Sequence, residues 1–96
     1  MEFRITLMPA AIEICKELAV SDPMKFRKIQ KTLGLLQMNL RHPSLNTHEF
    51  VSLKGPNGEK VFEAYVENKT PSAYRIFWHY GPEKDEISVI AITPHP

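Results

Sequence analysis

The stretch Ala73-Tyr-Arg-Ile-Phe-Trp-His-Tyr80, then Gly81-Pro82, then Ile87-Ser-Val-Ile-Ala-Ile-Thr93, decides the fold. It reads as two strands joined by a short loop. Period-two alternation puts Tyr74, Ile76, Trp78 and Tyr80 on one face and Ala73, Arg75, Phe77 and His79 on the other. Arg75 interrupts an aromatic and aliphatic run. Such a position is tolerated only where the guanidinium reaches water, a carboxylate or a phosphate.

Upstream, the same period of two predicts strands at 60–67 and 49–54, joined by the turn Gly55-Pro-Asn-Gly58. Earlier still the period is helical. Phe26, Ile29, Leu33, Leu36 and Leu40 recur at helix spacing after Asp22-Pro23, an N-cap followed by proline at the first helical position. Pro43 stops that helix near residue 40. Ala11, Ile14, Cys15, Leu18 and Ala19 give a first helix over 9–20 led by Pro9, and residues 2–7 alternate as a short opening strand. The expected fold is α+β, with an N-terminal strand, a two-helix hairpin, and three to four antiparallel strands covered on one face by the helices. The other face is expected to be at least partly open.

A chain of 96 residues is one domain, spanning 1–96. The single cysteine, Cys15, has no internal disulfide partner and falls in an apolar helical stripe, which points to a cytoplasmic protein and a core thiol. Glu2, Arg4, Pro9, Glu13 and Lys16 break any signal-peptide or membrane-spanning run at the start. The net charge of +1 hides an uneven distribution. Lys25, Arg27, Lys28, Lys31 and Arg41 lie in 23–41 without an acidic residue, a pattern that suits an anionic partner or a solvated helix face.

With Tyr74, Ile76 and Trp78 under the helices, the open face is expected to show Arg75, Phe77 and His79. Phe62, Ala64 and Val66 would fill the core, turning Val61, Glu63 and Tyr65 outward. Cations, a carboxylate and rings together suit single-stranded RNA; a structural Glu63–Arg75 pair fits the same residues. Lys54 sits at a strand end beside a turn whose amides can help hold an anion. His95, between two prolines, has a stiff backbone and an imidazole able to move a proton near neutral pH. His42, His48, His79 and His95 lack metal-site spacing, and there is no phosphate-binding glycine loop or Gly-x-Ser-x-Gly. The reading is a domain without metal or cofactor.

The opening strand, the Pro9-led hairpin, Leu53-Lys-Gly, Tyr74-Arg-Ile-Phe-Trp and the ending Thr93-Pro-His-Pro96 together resemble the RelE/ParE superfamily of small bacterial toxins, in its RelE/YoeB-like branch. That resemblance implies a cognate antitoxin as partner. In the nuclease members it implies metal-independent cleavage of ribosome-bound messenger RNA; other members poison a topoisomerase or serve only to bind. Carried over, Arg75 would grip the phosphate, Lys54 a second phosphate oxygen, and His95 would be the acid. Glu63 would be the base or would orient Arg75. Lys25, Lys28, Lys31, Phe77 and His79 would contact the RNA. No membrane and no metal enter this reading.

Overall fold

The computed structural model describes residues 2–68, 70 and 72–94. In chain order it runs β1 (Arg4–Leu7), α1 (Pro9–Ser21), α2 (Pro23–Met38), a short 3-10 turn (Pro43–Leu45), β2 (His48–Lys54), β3 (Lys60–Tyr65), β4 (Tyr74–Tyr80) and β5 (Glu86–Pro94). The five strands form one sheet in the order β1-β5-β4-β3-β2. Strands β2 to β5 form the expected antiparallel meander, and β1 adds to it in parallel beside β5, with Ile5 opposite Ile87 and Leu7 opposite Val89.

Local chemistry sets the helix ends. Asp22 terminates α1, its N–H bonding Leu18 O at 2.9 Å, and its carboxylate accepts from the Lys25 N–H at 3.2 Å to cap α2. In the β2–β3 turn, Gly58 at φ 81° takes a backbone conformation that side chains disfavour. Gly55 is buried, and a Cβ there would collide with the Glu59 carboxylate and meet His79 Cδ2.

The helices cover one face of the sheet. Ala11, Leu18, Ile29 and Leu36 pack on Ala64, Ile76, Trp78, Val89 and Ile92, with Phe62, Val66 and Tyr74 at the margin, as the alternation predicts. The opposite face departs from expectation, because it is not open where the functional residues sit. Strand β2 breaks register between Glu49 and Lys54 and curls over the sheet, placing the Phe50 ring 5.0 Å from that of Phe77. Val61, Glu63, Arg75, Phe77 and His79 are all buried. Two packed faces suit a small domain that has to hide apolar area wherever it can.

Glu67 fastens the helix layer to the sheet. Its Oε1 accepts from Lys25 Nζ at 2.6 Å and from the Tyr74 N–H at 3.2 Å, and its Oε2 accepts from Lys28 Nζ at 3.2 Å. Burial opposes ionisation here, but the Lys25 hydrogen bond, the Tyr74 amide and Lys28 together hold the Glu67 carboxyl below the usual carboxylate range. A depressed carboxyl contributes stability above its unfolded pKa of about 4.3 and loses it as pH falls through the lower folded value. Glu67→Gln is therefore expected to cost about 2 kcal/mol at pH 7. In denaturant unfolding repeated at pH 3, the gap between parent and variant should narrow.

Candidate functional site

On the face away from the helices, the cross-strand register of β3 and β4 sets Glu63 opposite Phe77 and Tyr65 opposite Arg75. The Arg75 guanidinium lies over the Tyr65 ring, 3.7 Å from its centroid. Its Nη1 donates to Glu67 O at 2.7 Å and to Tyr74 O at 3.2 Å, and its Nε stands 3.8 Å from Glu63 Oε2. Arg75 is only 6% exposed. The expectation of a guanidinium standing free on an open face is corrected: carbonyls, a ring and a carboxylate surround it.

His48 completes this cluster, and the sequence reading missed it. Its Nε2 lies 2.7 Å from Glu63 Oε1, its Nδ1 lies 2.9 Å from Asn46 O, and its ring meets Tyr65 edge-on at 5.9 Å. Both neighbours are hydrogen-bond acceptors, so the ring donates to both only when protonated. About half of the His48 side chain is exposed, which makes it the accessible end of a run from His48 through Glu63 to Arg75. The sequence carried no signal for it: β2 begins one residue earlier than its alternation predicts, and only the strand register shows that this residue pairs with Glu63.

The other expected site residues divide. Lys54 pairs with Lys60 while Arg75 pairs with Tyr65, five residues further along β3. That separation is roughly 17 Å along the strand, so the two cations do not share one phosphate. Phe77 and His79 are 2% and 3% exposed and cannot offer ring faces to a base, contrary to expectation. His79 Nδ1 donates to Tyr80 O at 2.8 Å and stands 4.0 Å from Glu59 Oε2. Glu59 is itself held ionised, its carboxyl lowered chiefly by backbone hydrogen bonds at Glu59 and Asn57. Lys25 and Lys28 are paired with Glu67, whereas Lys31 is exposed. Lys28, Lys31, Ser44 and Tyr65 line a groove of about 350 Å³ that borders the Arg75 cluster. His95 lies outside the described residues; the register ends with Pro94 opposite Tyr74, at the Arg75 end of β4.

Cys15 is part of the apolar packing around the core, where burial pushes its thiol up and away from thiolate chemistry. Among the described residues, no group of three or more His, Cys, Asp or Glu is placed to hold a metal ion. No helix among them is long and apolar enough to cross a membrane.

No protein-family model and no curated protein matches the sequence. Solved structures do. A YoeB/ParE toxin from Agrobacterium tumefaciens superposes with a TM-score of 0.72 at 11% identity, over 98% of this chain and 100% of that one. A chain of the archaeal RelE–RelB complex from Pyrococcus horikoshii OT3 gives 0.67 at 13% identity, over 98% and 96%. A chain of the heterotetrameric YoeB–YefM toxin–antitoxin complex from Staphylococcus aureus gives 0.67 at 16% identity, over the whole of both chains. The chain shares the fold of these RelE- and YoeB-type toxin structures.

Arg75 shields one side of the buried Glu63 carboxylate. Arg75→Ala is expected to destabilise the protein by about 3 kcal/mol, because removing one partner leaves the other's buried charge poorly compensated. Tyr65→Leu, which loses the ring beneath Arg75 and beside His48 but leaves both charges in place, should cost about 1 kcal/mol by the same denaturant measurement.

Proposed function

We propose that this protein is the toxin half of a toxin–antitoxin pair, and that it cleaves ribosome-bound messenger RNA without metal, using the RNA's own 2′-OH as nucleophile. One observation carries the reading. Glu63, fully buried, reaches His48 on one side at 2.7 Å and Arg75 on the other at 3.8 Å, on the side of the sheet that the helices do not cover. The fold match and the antitoxin complexes named among the structural neighbours support the coarser half of the proposal.

In this reaction the 2′-oxygen loses its proton and bonds to phosphorus, the P–O5′ bond breaks, and the departing 5′-oxygen takes up a proton. Glu63 orients His48 and Arg75. His48 moves a proton at Nε2 or Nδ1, and Arg75 offsets the charge gathering on the phosphate. Lys31, beside Tyr65, contacts a neighbouring phosphate. Lys54 holds the RNA backbone further along. His95 is assigned as the second proton carrier.

A non-catalytic antitoxin- or topoisomerase-binding protein is the alternative. It is favoured by the nine-tenths burial of Arg75 and its engagement with main-chain carbonyls. Induced expression followed by mapping of messenger 5′ ends on ribosomes separates the two. The nuclease reading expects new ends with the parent, reduced roughly 10²-fold by His48→Gln, a change at a half-exposed position that leaves the fold intact. Growth arrest without new ends, or unchanged cleavage by both His48→Gln and His95→Ala, would move the assignment to the binding protein.

A further inference from the structure

A second groove, of about 620 Å³, lies beside the C-terminal end of α2. One wall is aromatic. The Phe62 and Trp78 rings are stacked at 5.0 Å with 28° between their planes, and the Tyr80 ring stands edge-on to both, 5.7 and 5.0 Å away. Tyr80 is 52% exposed, so this wall offers a ring to an incoming ligand.

The opposing wall supplies hydrogen-bond donors. His42 Nδ1 accepts from the Ser44 N–H at 3.2 Å and from the Ser44 hydroxyl at 2.7 Å, which leaves the ring proton on Nε2 as a donor. Arg41 adds an exposed guanidinium, and none of the lining residues is acidic. Two lining residues also carry buried polar atoms without a partner among the described residues: the Nε1–H of Trp78, which is 1% exposed, and Thr47 Oγ1. Orphaned buried donors are rare in folded proteins, and one beside a groove points to a ligand that brings an acceptor.

We propose that this groove binds a nucleotide, with its base against the exposed Tyr80 ring at the open end of the Phe62–Trp78–Tyr80 cluster, a base acceptor toward the indole N–H, and the phosphate toward Arg41. An acidic peptide would satisfy Arg41 but supplies no planar ring for the aromatic wall. A base brings a flat face and in-plane acceptors together. The volume falls within the range of small-ligand sites. Two sources provide this chemistry, a free mononucleotide or one unit of single-stranded RNA. The inference is independent of the His48–Glu63–Arg75 assignment, since Phe62 and Trp78 sit on the helix side of the sheet and that cluster on the other.

The chain has one tryptophan, so the ¹H–¹⁵N spectrum of the intact protein carries a single indole N–H resonance that reports on the groove. Titration with UMP, GMP, a short single-stranded oligoribonucleotide, inorganic phosphate and a glutamate-rich peptide tests the proposal. A saturable shift of that resonance with a nucleotide or the oligoribonucleotide is expected, whereas phosphate alone leaves it in place. Response to the oligoribonucleotide alone identifies the ligand as an RNA unit, and response to the mononucleotides identifies it as the free form. Arg41→Ala should weaken binding roughly tenfold or more, and Arg41→Lys should restore part of it. No shift with any nucleotide, a response confined to the acidic peptide, or indifference to Arg41→Ala would overturn the proposal.

Discussion

Strand β4 has to be sealed on both sides, and the rest of the molecule is arranged around that constraint. Ile76 and Trp78 face the helices, while Arg75, Phe77 and His79 face away, and all five are buried. A charged guanidinium is costly to bury unless every side of it finds a partner. Tyr65 supplies a ring, Glu63 a carboxylate, and Glu67 and Tyr74 supply carbonyl oxygens. The curl of β2 follows from the same need, because Phe50 and the tight turn at Gly55 close over Phe77 and His79.

Glu67 links this buried cluster to the helix layer through a single residue. Its carboxylate holds Lys25 and Lys28 of α2, and its main-chain carbonyl holds Arg75. The same residue thus touches α2 on one side and the guanidinium on the other.

The two grooves differ in character as well as in place. The smaller, lined by Lys28, Lys31, Ser44 and Tyr65, borders the ionic cluster. The larger has an aromatic wall and no carboxylate. A backbone shared with toxin structures at 11–16% identity shows that the arrangement of layers survives nearly complete replacement of side chains. What the chain does with the arrangement rests on the side chains facing these two concave surfaces.

Local signals in the sequence determined much of the fold. The change from helical to two-residue period, Asp22-Pro23, Pro43 and the Gly55-to-Gly58 turn placed every helix and strand within a residue or two, because caps, breakers and alternation act over short distances. The inward-facing set on β3 and β4 was legible for the same reason. Only tertiary structure decided that β1 lies parallel to β5, that β2 curls over the second face, and that His48 joins Arg75 beside Glu63. Those outcomes depend on a register break and on pairings between distant segments, and alternation gives the face a residue occupies without saying what will cover that face.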